Sequence, residues 1–373
     1  MELSNIAVRE LLPGEEKTVR DLYRQSLSLI DGLIFQLAFR DALKSAAKRR
    51  GTTLVAVFDG RCVGSVSLRI LAYSGKTIGL IDAIVTDRNV RGRGVGRLLL
   101  DGALSWLEGR GCGIVCATAD RFNSQSWNMF IHKGFSVYGL RRQLKDVGLN
   151  FIRLWLTEFY IFGGTFYLSK TDSEEKQKEA GEASHFLAAW LGLSFAWWLI
   201  ALRGGASVTI VPQILWITGL SIVAHELAHK TVAAWFGLKT TFKAWDSGIL
   251  FSSLLAMLGA LYPAYGSTYM KQLDWRYDPR SRDAGLIYVA GPITSLGLAV
   301  LFWTLLQSIG AGPVAIAARM GYITNLSSAI LNLLPIQSAG LAWDGNKVFS
   351  WNKTFWSLLS GMLVLMVLID VLV

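Results

Sequence analysis

Two histidines and a glutamate stand together in Ala224-His225-Glu226-Leu227-Ala228-His229, at the end of an apolar segment whose residues 206–224 carry no charge. A charged group in hydrocarbon costs about 2.5 kcal/mol or more, so ionisable side chains in such a setting are kept for function. On a helix His225 and His229 lie one turn apart on one face and can share a Zn²⁺ ion. Glu226, about 100° round, can polarise a water beside the ion without ligating it. A catalytic zinc takes a third protein ligand and leaves one position open. Among the later acidic residues Asp246, Asp274, Asp278 and Asp283 stand with Lys, Arg and Trp in polar connections, and Asp370 follows the last apolar stretch. Asp344 instead closes the apolar stretch 320–343 and is the expected third ligand. Its carboxylate and Glu226 would together balance the charge of the ion.

A second constellation lies far upstream. Arg91-Gly92-Arg93-Gly94-Val95-Gly96 separates a β-rich run from a helical pattern through Leu98, Leu99, Ala103, Trp106 and Leu107. Glycine-rich backbone at a helix N-terminus presents N–H groups and the positive end of the dipole, an anion site suited to a pyrophosphate.

The elements that must position these groups differ between the two halves. The chain has 373 residues, 52% of them hydrophobic, a net charge of +10 and a mean hydropathy of +0.39. Nearly every charge run falls before residue 183; after it uncharged stretches follow at 183–202, 206–224, 247–270, 284–318, 320–343 and 354–369. Most are long enough to be transmembrane candidates. In the first half, 53–58 and 62–71 read as strands around an Asp59-Gly60 hairpin turn. Ile78–Thr86, 113–119 and 135–140 read as further strands, and 123–133 as a helix. Residues 1–168 therefore form an α/β domain. The run 169–182, SKTDSEEKQKEAGE, is a polar linker, and 183–373 is an all-α polytopic membrane domain of five or six spans. The basic excess follows the positive-inside bias of membrane proteins, and no nucleic acid is expected as a partner. No signal peptide is visible, which places the first half in the cytosol, and its three cysteines, Cys62, Cys112 and Cys116, are expected to be reduced core thiols.

With these residues in view, the second half resembles the site-two proteases, the intramembrane zinc metalloproteases. The motifs run in order: His225-Glu226-x-x-His229, Ala290-Gly291-Pro292, Asn332-x-x-Pro335 and Asp344-Gly345. The resemblance implies zinc held by His225, His229 and Asp344, Glu226 as general base, Asn332 as a substrate-positioning residue, and a transmembrane protein as substrate. Two departures are Ser295, where many members carry Asn, and a longer interval between Asn332 and Asp344. Because a helix hides its carbonyls, the substrate must unwind locally, and Gly266–Met270 offers either a strand edge for it or a plain connection.

The first half resembles the GNAT-type N-acetyltransferases, through the 91–96 loop and the run Asn123 … Phe130-Ile-His-Lys-Gly134-Phe135. That resemblance implies acetyl-CoA as cofactor, held by Arg91, Gly92, Arg93, Gly94, Val95 and Gly96, with Asn123 nearby. Phe130 stands where many members carry the Tyr that protonates the departing thiolate. Asp82 reads either as a base or as a surface carboxylate. The expected protein is thus a membrane-embedded zinc endopeptidase fused to a GNAT-like domain that acetylates a substrate or regulates the protease. The alternative is a membrane-tethered acetyltransferase with a non-proteolytic membrane half. Requiring the three protease motifs to meet at one depth makes 248–265 re-entrant, with Lys271, Arg276, Arg280 and Arg282 on the cytosolic side.

Overall fold

The computed structural model describes residues 5–27, 29–73, 75–120, 123–158, 160, 165–171, 180–270, 282–338 and 341–372. The chain divides into two compact units. In the first, β1 (Ala7–Glu10), β2 (Gly51–Phe58), β3 (Arg61–Tyr73), β4 (Lys76–Thr86), β5 (Ile114–Asp120), β6 (Ser136–Val137) and β7 (Thr165–Thr171) form one sheet in the order β1-β2-β3-β4-β5-β7-β6. The helices are α1 (Glu16–Ser26), α2 (Leu29–Ala47), α3 (Val95–Glu108), α4 (Ser124–Ile131), α5 (Leu140–Val147) and α6 (Phe151–Thr157). Asp59 and Gly60 both take positive φ, the backbone a two-residue hairpin between right-twisted strands requires.

The pairing is antiparallel up to β4 and parallel from β4 to β5, with α3 as the crossover. Helix α3 buries Val95, Leu99, Ala103 and Leu107 against Leu54, Leu68, Ile81 and Val115. The other face is covered by Val19, Leu22, Tyr23 and Phe39 of α1 and α2. The β4–β5 ladder ends at Ile81↔Ala117 although both strands continue. One extra residue, Asp82, interrupts the β3–β4 register opposite Ser67/Leu68, and such a bulge bends its strand. Beyond it β4 and β5 are no longer paired with each other.

Three expectations change here. Asp82 is neither a free base nor a surface group: its side chain is 2% exposed and takes a bidentate pair from Arg69, which also reaches Glu158. The 135–140 strand shrinks to two residues, because Leu140–Val147 turns Gln143 and Val147 inward with a helical period. The linker is shorter than 169–182. Ser169, Lys170 and Thr171 continue β7 opposite Cys116, Val115 and Ile114, and Glu182 already opens a helix. Residues 172–179 lie outside the described residues.

The second unit holds α7 (Glu182–Arg203), α8 (Val211–Trp235), α9 (Asp246–Met257), α10 (Arg282–Ser308), α11 (Pro313–Leu333), α12 (Asp344–Trp351) and α13 (Lys353–Leu372). Among the described residues five helices are long and apolar enough to cross a membrane: α7, α8 with its preceding turn, α10, α11 and α13. Helix α9, with 12 residues, reaches about 18 Å at 1.5 Å per residue, against about 30 Å of hydrocarbon. The 247–270 stretch therefore does not form a spanning helix. The unit is also not all-α, since β8 (Thr240–Ala244) and β9 (Gly266–Met270) pair antiparallel from Thr240↔Met270 to Ala244↔Gly266. Polar pairs accompany the apolar packing at the joints. Ser194 meets Thr218 at 2.7 Å, Asn325 donates to Ser221 at 2.9 Å, and the Glu182 carboxylate accepts from Lys230 of α8 and, at 2.6 Å, from the Phe242 N–H of β8. The segment 271–281, with Lys271, Arg276 and Arg280, lies outside the described residues.

Candidate functional sites

Helix α8 presents His225 and His229 from one face into the interior, both buried, with their Nε2 atoms 3.2 Å apart. Asp344, the first residue of α12, brings Oδ2 to 3.2 Å from His229 Nε2. Among the described residues this is the one group of three such side chains whose ligand atoms converge, all within 4.8 Å. Two ligands held about 2.05 Å from one ion at the tetrahedral angle stand about 3.3 Å apart, so both spacings suit zinc.

Helix α10 sets the ring orientations from the far side. The Ile287 carbonyl accepts from His229 Nδ1 at 2.7 Å, and Ser295 Oγ is hydrogen-bonded to His225 Nδ1 at 2.8 Å. A carbonyl only accepts, so His229 carries its proton on Nδ1 and turns the Nε2 lone pair toward the cluster. Between these two contacts lies Gly291. A Cβ there would sit 2.5 Å from His225 Nε2 and closer still to His229 Nε2. Glycine thus keeps open the space an ion would fill, which is the structural fit of these residues to a metal.

Glu226 stands beside the cluster, where its Oε2 accepts from Thr268 Oγ1 of β9 at 2.7 Å. A cavity of about 50 Å³ is lined by His225, Glu226, Asp344, Ser221, Tyr265 and Asn332. Asn332 reaches it from the end of α11, with its amide 3.3 Å from Ser328 Oγ. Gly345 packs its bare Cα against the backbone of Leu333, which seats Asp344 against the end of α11. Lys347, one turn on, places Nζ 3.8 Å from Asp344 Oδ1 and 3.5 Å over the Tyr288 ring. Sequence reasoning missed Thr268, Ile287 and Lys347 and saw Ser295 only as a departure. Ser295 falls one helical turn after Gly291, a spacing that could have exposed it.

In the first unit the 91–96 loop leads into α3. Gly92 and Gly94 take positive φ, with Gly94 the left-handed N-cap, and the buried Val95 anchors the turn. The first N–H groups of a helix have no partner within it, so the backbone N–H groups of Gly94, Val95 and Gly96 have no acceptor inside α3 and stand near Thr86 at the end of β4. The Arg91 guanidinium is spent elsewhere, on the Ser26 carbonyl at the end of α1 at 2.8 Å. The Asn123 side chain caps α4 by accepting from the Ser126 N–H at 3.0 Å. Phe130 is buried edge-on to Phe135 at 5.1 Å between centroids.

Residues 17–135 match the acetyltransferase (GNAT) family profile. A protein of Methanocaldococcus jannaschii, named as a candidate zinc metalloprotease, is 32% identical over 142 residues, which are 38% of this chain and 70% of that protein. Among solved structures, the PaiA N-acetyltransferase from Thermoplasma acidophilum in complex with coenzyme A covers 44% of this chain and 98% of its own, at 18% identity and a TM-score of 0.33. An acetyltransferase of the GNAT family from Streptococcus pneumoniae covers 36% and 86%, at 21% identity and a TM-score of 0.30.

Proposed function

The chain belongs to the same family as the archaeal candidate metalloprotease, and we propose that its helical unit is an intramembrane zinc endopeptidase, while its GNAT domain binds acetyl-CoA. The observation that carries the first part is the convergence of His225, His229 and Asp344 on the space beside Gly291, with Glu226 adjoining. Zinc bound there would act as a Lewis acid and bring the pKa of an adjacent water to about 7. Glu226 takes the proton from that water and hands it to the leaving amine, and the Thr268 hydroxyl holds its carboxylate in place. Strand β9 pairs with β8 on one edge, and its other edge receives the unwound substrate as an added strand. Asn332, in the same cavity, orients the substrate amide. The chain is a multi-pass membrane protein with residues 1–168 on the cytosolic side, a linker within 169–182, and 183–373 as the protease domain.

Zinc content and cleavage of a transmembrane test peptide decide this reading. Glu226→Ala is expected to keep zinc and lose cleavage; His225→Ala and Asp344→Ala are expected to lose both. Full cleavage by Glu226→Ala would overturn the mechanism, and stoichiometric zinc in Asp344→Ala would overturn the third ligand.

For the GNAT domain, Gly94, Val95 and Gly96 offer backbone donors to the pyrophosphate, and the unpaired edges of β4 and β5 beyond Ile81 and Ala117 receive the extended arm of the cofactor. Phe130, packed in the core and without a hydroxyl, favours a domain that binds acetyl-CoA and regulates over one that transfers rapidly. Calorimetry is expected to show acetyl-CoA binding in the wild type and none in Gly94→Glu, which sets an anion against the phosphates. Phe130→Tyr is expected to raise any acetyl transfer. No binding heat in the wild type would discard the cofactor.

A further inference from the structure

Helices α5 and α6 leave a face that the first unit does not bury. Leu140 and Leu144, one turn apart on α5, are exposed; so are Ile152 and Leu156, one turn apart on α6. Leu149, in the turn between the helices, is 77% exposed, the most of the five. Their inner faces are fixed: Gln143 accepts from the Trp155 indole at 2.6 Å, and Val147, Phe151 and Leu154 are buried. The outward leucines are therefore not a by-product of a loosely held segment. Around them Arg141, Lys145 and Arg153 are exposed. The one acid in this stretch, Asp146, turns back to Lys76 and Arg142.

We propose that this face is a membrane-surface anchor, seated on an anionic lipid headgroup layer with its leucines and Ile152 at the acyl boundary. Exposed aliphatic side chains ringed by arginine and lysine are the pattern that interfacial helices use, apolar burial adding to attraction by anionic lipid. The covalent path fits that partner. Ten residues, 172–181, separate β7 from α7, and a chain of that length spans at most about 35 Å. Tethering so short keeps the effective lipid concentration high, so a patch too weak to bind by itself stays engaged. The proposal rests on the helical unit being in a bilayer.

The test uses the full chain, in a background lacking Cys62, Cys112 and Cys116, with single fluorophore-labelled cysteines at Leu149, Arg61 or Leu365. Each is reconstituted into vesicles of phosphatidylcholine with phosphatidylglycerol, or of phosphatidylcholine alone, containing acyl-chain spin-labelled lipid as quencher. The Leu365 label on α13 reports insertion, and its failure to quench overturns the membrane reading on which the proposal rests. With Leu365 quenched, the anchor requires that Leu149 is quenched in anionic vesicles and that Arg61, exposed at the β2–β3 turn, is not, because that turn lies at the opposite end of the sheet from Arg69 and Lys76, which contact the α5–α6 region. Reversing Arg141, Lys145 and Arg153 to Glu is expected to cut quenching at Leu149 about threefold or more, as is Leu144→Gln with Ile152→Gln, which leaves the charges in place. An unquenched Leu149 in anionic vesicles overturns the anchor, as does quenching unchanged by either variant. Shielding that appears in detergent and grows with protein concentration would assign the face to a second copy.

Discussion

Replacing Gly291 by Ala adds one methyl group and is expected to disable the metal site. The added Cβ would lie 2.5 Å from His225 Nε2, where ordinary contact is about 3.5 Å, so α10 must retreat by about 1 Å to admit it. That helix also carries both groups that orient the histidines. A retreat of about 1 Å would stretch the Ile287 and Ser295 contacts from 2.7 and 2.8 Å past the limit of a hydrogen bond. Losing one such supporting contact weakens metal binding about 10- to 100-fold. Losing both implies about 10²- to 10⁴-fold, or roughly 3–5.5 kcal/mol at about 1.4 kcal/mol per decade. Helix propensity works the other way, since Ala is favoured over Gly by about 1 kcal/mol, so the metal-free fold is expected to survive. Competition with a chelator of known affinity, read by elemental analysis of the purified protein, gives the number. Ser295→Ala, which removes one contact and adds no bulk, is expected to lose only the first 10- to 100-fold. Wild-type zinc affinity in Gly291→Ala would refute the assignment of that space to the ion.

Thr268→Val is expected to lower kcat about 10- to 100-fold, the worth of a hydrogen bond to a charged group, with KM and zinc content unchanged and activity restored by Thr268→Ser; an unaltered kcat would remove Thr268 from the machinery. Glu158 gives the first unit a pH dependence: burial and then the neighbouring Asp82 raise its pKa well above the ordinary carboxyl value, while Arg69 opposes them. A group raised in the folded state stabilises fully below its unfolded pKa and loses that contribution as pH rises through the folded one. The melting temperature of the unit is therefore expected to fall as pH rises above about 4.5 in the wild type and to stay flatter in Glu158→Gln; equal slopes would refute the burial of this carboxyl. For topology, single cysteines at Leu238 and Arg282 are expected to react only from the cytosolic side and one at Ala311 only from the other, and outer labelling of Arg282 would mean that 247–270 crosses after all.

What the sequence revealed and what it hid divide along a physical line. His225, Glu226 and His229 are legible because one helical turn fixes their relation before any tertiary structure exists. Asp344 was accessible by elimination, since few carboxylates end an apolar stretch. Lys347, one turn from Asp344 on the same helix, had a readable spacing that was passed over. Thr268 and Ile287 were not accessible, because each acts through a partner 42 or 58 residues away whose approach depends on packing rather than on spacing. The same holds for Asp82. Its neighbours in sequence mark a strand, and only the fold brings Arg69 and Glu158 to it. Helices α5 and α6 escaped because apolar residues face both inward and outward, which blurs the period by which a helix is read.

Glu182 is both the first residue of its unit's first helix and a fastening of the scaffold around the histidines. Its carboxylate holds Lys230, which follows His229 directly, and the backbone of β8, whose partner strand carries Thr268. A force applied to the chain at Glu182 would therefore reach first a joint shared by the helix of the histidines and the sheet that steadies Glu226, and the alignment of the general base would respond to load at that one residue.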